Sequence, residues 1–311
     1  MPSTESDAPE RAGAGVTVAF AGLGAMGGPM VRQLAAAGTT LRLFDIRADA
    51  CRALAEETGA VAAASAAEAG EGADIAITMV ADHHVVRKAV LGASGDGLVA
   101  RMAPGGIVVD MSSSFAPATR ALGADLAPRG IALLDAPVSG GVRRARDGTL
   151  AIMLGGDDAA ALDRAEPVLS NMGRVFRTGP LGSGHALKAL NNFVSAAGLQ
   201  AACEAVIVGR RFGLDPEVIV DVLNASTGRN NATENKLKQF ILNADYGSGF
   251  ALALMAKDLG LAADLGAGQP TLAATHALWR AAAAALPEDA DHTEIMRFLE
   301  DRPGGAEPDG G

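Results

Sequence analysis

The chain has 311 residues, of which 49% are hydrophobic, and its formal net charge at pH 7 is −10. Its length suggests two domains, each with enough apolar content for a sizeable core. The acidic balance argues against duplex nucleic acid and anionic membrane surfaces as partners, since both require clustered Lys and Arg. Small molecules are therefore the expected ligands.

The two cysteines, Cys51 and Cys203, are far apart, and each lies in an Ala-rich helical pattern. Neither a disulfide nor a metal site is expected from them, and a reducing cytoplasm fits best. The N-terminus lacks the basic start and apolar run of a signal peptide, and no apolar run approaches the roughly 20 residues of a membrane span. We expect a soluble cytoplasmic protein with disordered tails over residues 1–15 and 301–311.

A glycine-rich turn follows the first predicted strand, residues 16–21, and precedes a helical pattern. The turn consists of Gly22, Leu23, Gly24, Ala25, Met26 and Gly27. In such a turn Gly22 permits the tight bend, Gly24 lets the backbone approach a pyrophosphate, and Gly27 lets helix and strand pack closely. The motif predicts a dinucleotide cofactor.

The second predicted strand, Thr40–Phe44, ends in Asp45, about 20 residues after the glycine turn. A carboxylate at this position accepts hydrogen bonds from the ribose hydroxyls and repels a 2′-phosphate, so NAD is expected in preference to NADP. Arg42 and Arg47 are close enough to hold a 2′-phosphate instead. Arg47 is alternatively a solvated side chain or a partner for the adenine ring.

Two further strands of the buried parallel type are predicted over residues 75–80 and 107–110. Val80 and Ala81 stand at the carboxyl end of the first strand and would face the cofactor. Three serines, residues 112–114, follow the second strand. They lie where open α/β sheets bind ligands.

Ser139, Gly140 and Gly141 follow another predicted strand, residues 131–134. Two successive glycines after a serine expose backbone amides that can converge on an anion such as a carboxylate. An ordinary glycine turn is the alternative.

The longest helical pattern ends at Gly213 and spans about 30 residues, roughly 45 Å. Ser183 is expected to cap its first turn. Lys188 and Asn192 are four residues apart and share a face, with Asn191 beside them. A cation and two amides in this arrangement can bind an oxygen that gains and loses a proton. A connecting helix with ordinary exposed polar residues is the alternative.

Strand patterns cease after Thr178, and helical patterns continue to about residue 300. The expected fold is α/β: a Rossmann-type, mostly parallel sheet domain over residues 16–178 and an all-helical domain over 179–300, joined by the long central helix. The apolar helix over residues 251–265 suggests that the second domain also pairs subunits in a homodimer or homotetramer.

Four segments together resemble the β-hydroxyacid dehydrogenases, the family of 3-hydroxyisobutyrate dehydrogenase and tartronate semialdehyde reductase. They are residues 22–30, 135–141, 182–192 and 257–262. The resemblance implies hydride transfer between NAD and the 3-hydroxyl carbon of a small hydroxy acid, with Lys188 as general acid and base. The resemblance implies that four residues hold the substrate, namely Ser139, Gly140, Gly141 and Asn192. It also implies that Lys257 reaches the nicotinamide end of the cofactor.

The chain departs from the family pattern at three places. Ser113 or Ser114 replaces a threonine beside the cofactor, and the spacing from Asp110 favours Ser113. Ala81 replaces a proline, and residues 230–236 differ from the 3-hydroxyisobutyrate pattern. Tartronate semialdehyde or a sugar acid such as threonate is therefore an alternative substrate. The related imine reductases lack the catalytic lysine and tend to use NADP, so Lys188 and Asp45 both argue against them. Lys188 also argues against a catalytically silent cofactor-binding regulator, which such folds become when the lysine is lost.

Overall fold

The structure is a computed structural model that describes residues 15–266 and 268–301. The predicted tails lie outside these residues, apart from Gly15 and Asp301. The chain divides into two compact units, and the division falls between Lys188 and Ala189, within the central helix. The sequence-based boundary at residues 178 and 179 places the whole helix in the second domain.

In the first unit, the described residues form one nine-stranded sheet. The strands are β1 (Thr17–Ala21), β2 (Thr40–Phe44), β3 (Val61–Ala62), β4 (Ile75–Thr78), β5 (Ile107–Asp110), β6 (Ala132–Asp135), β7 (Val138–Ser139), β8 (Leu150–Gly155) and β9 (Gly173–Gly179). The strand order is β3-β2-β1-β4-β5-β6-β8-β7, and β9 pairs with β8. The first six strands pair in parallel, whereas β8 runs antiparallel to β6 and β7. The strand order reverses at β1 and β4, where open α/β sheets bind ligands.

Helices of the first unit connect these strands. They are α1 (Gly27–Ala36), α2 (Ala48–Thr58), α3 (Ala66–Gly70), α4 (His83–Leu91), α5 (Ala116–Leu126), α6 (Gly141–Arg146) and α7 (Ala159–Leu169). The sequence predicts a glycine turn at Gly140 and Gly141, whereas in the structure Gly141 already begins α6. Single turns of 3₁₀ helix occur at Leu98–Ala100 and Ala127–Arg129.

Side-chain alternation along β1 shows how the sheet is buried on both faces. Val18 and Phe20 belong to one apolar cluster, and Ala19 and Ala21 belong to another. Successive side chains of a strand point to opposite faces, so this division requires apolar cover on each face. The continuous apolar strands of the sequence follow from that arrangement.

The second unit is helical in its described part. Its elements are α8 (Ser183–Phe212), which begins in the first unit, and α9 (Pro216–Ala225), α10 (Asn231–Asn235), α11 (Leu252–Leu265), α12 (Pro270–Ala285) and α13 (Ile295–Glu300), with a 3₁₀ turn at His292–Glu294. The core of this unit includes the fully buried Trp279 and Cys203. The fold class expected from the sequence is therefore confirmed.

The helical pattern of the sequence predicts a helix over residues 235–242, and the structure differs from this prediction in two details. Asn230 and Thr233 form a reciprocal capping box, so α10 begins earlier, at Asn231. At Lys236 the backbone leaves the α-helical region, and a π-helix follows at Leu237–Ile241. The amide of Ile241 donates to the carbonyl of Lys236, five residues back. The π-helix cannot be read from apolar periodicity alone.

Among the described helices, α8 is the one with the length and apolar composition to cross a membrane. Its mean hydropathy is 1.3 over the relevant window, of which 39% is buried inside the protein. Core helices of soluble proteins can have the same length and apolar composition. Lys188 and Asn192 are buried polar residues on α8, and such residues are costly within lipid. These features favour a helix packed within the fold.

Candidate active site

The three glycines of the turn after β1 are required for different reasons. Gly22 has a φ of +95°, and a side chain there would overlap the carbonyl oxygen of Met79. A side chain at Gly27 would overlap the carbonyl oxygen of Gly22. A Cβ at Gly24, in contrast, would meet open space. Packing explains Gly22 and Gly27, whereas the protein itself leaves open space at Gly24, where the sequence predicts the approach of a pyrophosphate.

The rest of the turn leads directly into the first helix. Leu23 is buried, Ala25 is exposed, and Met26 immediately precedes α1. The backbone amides of a helix start favour negative charge, and a pyrophosphate at this turn stays a prediction from the sequence.

Asp45 lies beside this turn. Its Oδ2 accepts a 2.7 Å hydrogen bond from the amide of Leu23, and its Oδ1 accepts one of 2.8 Å from the amide of Arg47. Burial raises the pKa of the Asp45 carboxyl, but these hydrogen bonds and the Arg47 guanidinium lower it by more, so the pKa lies below its ordinary value. The side chain is therefore a carboxylate at neutral pH, and its lone pairs suit hydroxyl donors.

The two arginines near Asp45 differ in their contacts. The Arg42 guanidinium donates to the backbone carbonyls of Glu68 and Ala69 at 2.8 and 3.2 Å, so α3 holds it. Arg47 is largely exposed, and its Nε lies 3.2 Å from Oδ1 of Asp45. Of the two candidates for a 2′-phosphate, Arg47 is the one whose side chain is not committed to the backbone.

The carboxyl ends of β4 and β5 carry a buried hydroxyl network. Oδ1 of Asp110 accepts from Thr78 Oγ1 at 3.0 Å, and its Oδ2 accepts from Ser114 Oγ at 2.6 Å. The hydroxyl of Ser112 accepts a 3.0 Å hydrogen bond from the amide of Val80. Ser112 and Ser114 thus serve the fold.

Three of the predicted cofactor residues lie at this edge of the sheet. Ser113 is partly exposed, which favours it over the buried Ser114 as a cofactor contact. The strand predicted over residues 75–80 ends earlier, at Thr78, so Val80 and Ala81 lie in the loop beyond it. Val80 is half-buried and Ala81 is exposed.

The predicted anion site begins in β7 and continues into α6. Ser139 ends β7, and Gly140 and Gly141 have φ angles of +134° and +67°. Both angles lie in the region that favours glycine. A side chain at Gly140 would also crowd Arg144, whereas the space around Gly141 is open. The backbone conformation therefore requires both glycines, and the partly exposed turn can receive a ligand.

Asp135 caps the central helix, and this is a correction to the role expected for Ser183. Its Oδ1 accepts from the amide of Gly182 at 2.7 Å, and its Oδ2 accepts from the amide of His185 at 2.8 Å. The hydroxyl of Ser183 instead pairs with that of Thr178 at 2.7 Å. Asp135 is fully buried at the end of β6. The cap comes from a residue 47 positions away in the sequence, so local capping rules could not identify it.

His185 is a further buried residue that the sequence analysis gave no role. Its Nδ1 lies 2.9 Å from Thr119 Oγ1, and its ring stands 3.6 Å from Asp110 and 3.7 Å from Asp135. Its side chain has no exposed surface. The network ties the first turn of α8 to two adjacent strands. The sequence does contain a signal for this buried network, because a polar residue ends each of two apolar strands, at Asp110 and Asp135.

Lys188 follows one turn after His185 and is only 9% exposed. It is the last residue of the first unit. A buried lysine is uncommon, because the ammonium loses hydration. The alternative of an ordinary exposed lysine on a connecting helix is therefore wrong.

The second unit holds the remaining predicted residues. Asn192 is 5% exposed, and its Nδ2 donates a 2.6 Å hydrogen bond to Oδ2 of Asp258. Asn191 is exposed, and its Nδ2 donates to Oδ1 of Asn192 at 3.2 Å. Nζ of Lys257 lies 3.8 Å from Oδ1 of Asp258. Asp258 thus joins Asn192 and Lys257. Asp258 is not among the site residues predicted from the sequence, although a carboxylate in the apolar α11 was a usable signal.

The first unit therefore combines a dinucleotide turn, a carboxylate suited to ribose hydroxyls, a glycine turn suited to an anion, and a buried lysine. The second unit adds a buried amide with a carboxylate partner. Such groups can bind a dinucleotide, hold an acid and transfer a proton. They constitute the chemical equipment of a dehydrogenase.

Comparisons with known proteins agree with this chemistry. A family model described as the NAD binding domain of 6-phosphogluconate dehydrogenase matches residues 17–180. A second, described as the NAD-binding of NADP-dependent 3-hydroxyisobutyrate dehydrogenase, matches residues 182–299.

Two relatives from Pseudomonas aeruginosa are similar over most of their length. The chain is 42% identical to an NAD-dependent L-serine dehydrogenase, with coverage of 79% of this chain and 83% of the relative. It is 40% identical to a 3-hydroxyisobutyrate dehydrogenase, again covering 79% and 83%. The solved structure of Mycobacterium tuberculosis 3-hydroxyisobutyrate dehydrogenase with L-serine is 35% identical, with a TM-score of 0.81 and coverage of 91% and 99%. The chain therefore belongs to the 3-hydroxyisobutyrate dehydrogenase family of β-hydroxyacid dehydrogenases, and it is a nicotinamide-dependent oxidoreductase of small hydroxy acids.

Proposed function

We propose that this protein uses NAD to oxidise the 3-hydroxyl of a small carboxylic acid, with Lys188 as the general base, and that it catalyses the reverse reduction with Lys188 as the general acid. The observation that carries the proposal is the burial of Lys188 one turn beyond a helix start that Asp135 fixes. A buried amine on a rigid helix is pre-positioned for proton transfer, which typically contributes about 10²- to 10⁴-fold to the rate.

The other predicted residues orient the acid. The amides and hydroxyl of Ser139, Gly140 and Gly141 suit its carboxylate, and Asn192 offers an amide whose orientation Asp258 fixes. A bound nicotinamide supplies the hydride chemistry. Lys188 accepts the hydroxyl proton in oxidation and returns it in reduction.

NAD is proposed as the preferred cofactor. The ionised carboxylate of Asp45 repels a 2′-phosphate, and Arg42 is held by backbone carbonyls. The other candidate phosphate partner is Arg47, whose guanidinium contacts Asp45. The ratio of kcat/KM for NAD to that for NADP tests this preference, and a ratio below one would refute it.

The proposed substrates are 3-hydroxypropanoates with a substituent at the second carbon. The relatives are named for L-serine and 3-hydroxyisobutyrate. Both compounds have a hydroxymethyl group on the carbon that bears the carboxylate, and they differ in an ammonium or a methyl group at that carbon. The shared unit is the part that a carboxylate site and Lys188 would both engage.

A panel of substrates tests the proposal through NADH formation in the oxidative direction and NADH consumption in the reductive direction. It contains 3-hydroxyisobutyrate, L-serine and threonate in the oxidative direction, and tartronate semialdehyde in the reductive direction. We expect the highest kcat/KM with 3-hydroxyisobutyrate or L-serine, and little turnover of propanol because it lacks the acid group. Equal turnover of propanol and 3-hydroxypropionate would contradict the carboxylate requirement.

A homodimer or homotetramer is also proposed, with contacts through the second unit. Val194, Val208 and Phe212 on α8 are 67%, 63% and 83% exposed, and Val218 and Val222 on α9 are 57% and 58% exposed. Exposed apolar groups of this kind favour association. Light scattering at micromolar concentration should give at least the mass of a dimer, and a monomer mass would refute the proposal.

A cytoplasmic location is proposed because Cys51 and Cys203 are both unpaired thiols. Free cysteines fit a reducing compartment. Fractionation of source cells should recover the protein with cytoplasmic markers, and recovery with periplasmic or membrane markers would contradict this.

A further inference from the structure

A second lysine of the helical unit has an unusual partner. Nζ of Lys236 lies 2.7 Å from Nε2 of His292. Among the described residues, no carboxylate lies within ion-pair distance of this amine. Lys236 stands where the backbone passes from α10 to the π-helix, in the segment whose sequence departs from the family pattern. π-Helical turns occur frequently at functional sites.

The contacts of the His292 ring determine which ring nitrogen can accept a hydrogen bond from Lys236. Nδ1 of the ring lies 3.0 Å from the carbonyl oxygen of Phe250, which can only accept a hydrogen bond. The proton of the neutral ring is therefore on Nδ1, and Nε2 presents a lone pair to Lys236. Burial lowers the pKa of His292, and the positive charge of Lys236 lowers it further against the opposing effect of Asp291. The neutral ring is a proton acceptor for the amine.

Asp291 holds the histidine from the opposite side. Its Oδ1 lies 3.3 Å from Nδ1 of His292, and Ser248 Oγ donates to both carboxylate oxygens at 2.8 and 3.0 Å. Burial raises the pKa of Asp291, but hydrogen bonds from His292, Thr293 and Ser248 lower it by more, to well below its ordinary value. The carboxylate, the imidazole and the amine thus form a connected series within one unit.

We propose that Lys236 is a carbonyl-reactive lysine that forms a reversible imine with small aldehydes, with His292 accepting the proton that the nitrogen releases after it adds to the carbonyl. The neutral Nζ adds to the aldehyde carbon as the carbonyl π bond breaks. Nε2 of His292 then takes one proton from the nitrogen, and the oxygen takes one proton from water. The resulting carbinolamine loses water to give the imine. No oxidant or reductant is consumed. The choice of aldehydes rests on the proposed function, because oxidation of a primary 3-hydroxyl yields an aldehyde.

The state of the amine supports this reactivity. Burial lowers the pKa of Lys236 to about 8, although Asp291 opposes the shift. Lys238, two residues away, provides an internal comparison. Its Nζ lies 2.7 Å from Asp221, and the hydrogen bond to that carboxylate raises the pKa of Lys238. At neutral pH, Lys236 therefore carries a far larger fraction of the nucleophilic neutral amine than Lys238.

The test is reductive trapping in the full-length protein without cofactor. Glyoxylate and sodium cyanoborohydride are added at about pH 7.5, and the rate of labelling at each lysine is measured by peptide mass spectrometry. We expect Lys236 to be labelled at least about tenfold faster than Lys238, given the difference in neutral amine. In urea-unfolded protein the two rates should converge, because the fold creates the difference. Equal rates in the native protein, or labelling of other lysines with Lys236 unmodified, would overturn the proposal.

Variants sharpen the assignment. Lys236→Met should lose the label, whereas Lys238→Met should retain it. His292→Gln should slow labelling of Lys236 several-fold, and circular dichroism would establish that this variant is folded. Unchanged labelling in folded His292→Gln would refute the role of the histidine. Turnover of hydroxy acids is measured separately on untreated protein, so failure of the trapping experiment is distinguishable from failure of the proposed function.

Discussion

The side-chain amide of Asn192 donates a 2.6 Å hydrogen bond to the carboxylate of Asp258, and both residues are almost fully buried. A hydrogen bond to a charged acceptor is stronger than one between neutral groups. Asp258 therefore fixes the orientation of Asn192. This relationship makes Asp258 a supporting residue for the amide that the sequence placed beside Lys188.

Asp258→Ala should destabilise the protein by about 1–3 kcal/mol, because it leaves the buried amide of Asn192 without its acceptor. We also expect a higher KM for the hydroxy acid. Asp258→Asn retains an acceptor oxygen and should have a smaller effect on both quantities. Asp264→Ala, an exposed position on the same helix, serves as the control. Urea unfolding and steady-state kinetics measure the two effects, and similar values for Asp258→Ala and Asp264→Ala would rule out the supporting role.

Lys188→Met should reduce kcat by about 10²- to 10⁴-fold while the dissociation constant for NADH changes little. Methionine keeps the apolar stem but has no transferable proton. Stopped-assay kinetics and fluorescence titration with NADH provide the measurements. Turnover within a few-fold of wild type, with normal NADH binding, would remove Lys188 from the mechanism.

Gly24→Ala and Gly27→Ala should separate cofactor binding from folding. A methyl group at residue 24 meets open space in the protein, so the variant should fold normally but crowd the cofactor. A cost of about 1–3 kcal/mol corresponds to NADH binding weakened by about 5- to 150-fold. At residue 27 the methyl group would overlap the carbonyl oxygen of Gly22, and we expect a loss of stability instead. Titration and thermal unfolding distinguish these outcomes; normal NADH affinity in Gly24→Ala would contradict the proposed pyrophosphate position.

Asp45→Ala should reduce the preference for NAD over NADP, because it removes the negative charge that opposes a 2′-phosphate and releases Arg47. The ratio of kcat/KM values for the two cofactors is the measurement. Asp49→Ala, at an exposed position four residues along the chain, is the matched control. An unchanged ratio in Asp45→Ala would show that this carboxylate does not select the cofactor.

The stability of the second unit should depend on pH through Lys236. Its folded pKa is about 8, below the ordinary value of 10.5, chiefly because of burial. Between these values the unfolded chain binds more protons than the folded protein, so the free energy of unfolding rises with pH. Below pH 8 the buried amine is protonated in the folded protein, and the resulting decrease in the free energy of unfolding is fully present. The urea midpoint, measured at about pH 7 and about pH 9.5, should rise less in Lys236→Met than in wild type.

Lys238→Met is the control for this pH effect. The pKa of Lys238 is raised by its hydrogen bond to Asp221, so its stabilising contribution is present throughout the interval below its unfolded value. The variant should therefore show the same pH dependence as wild type. An identical pH dependence in Lys236→Met would disprove the coupling.

The sequence by itself determined the fold class and several elements of which the proposed cofactor site consists. Its periodicities identified β2 at Thr40–Phe44 and the length of the central helix, since these features depend on local side-chain patterns. The glycine spacing identified the turn after β1 for the same reason. Lys188 and Asn192 could be placed on one helix face because helical geometry relates residues four apart.

Only the tertiary structure decided which distant groups complete these elements. Asp135 caps the central helix, Asp258 orients Asn192, and His292 accepts a hydrogen bond from Lys236. Each pair is separated by many residues, and chain periodicity carries no information about which side chains meet after folding. Burial also distinguished Lys188 from an ordinary exposed lysine, because the loss of water around a charge is a property of the packed chain.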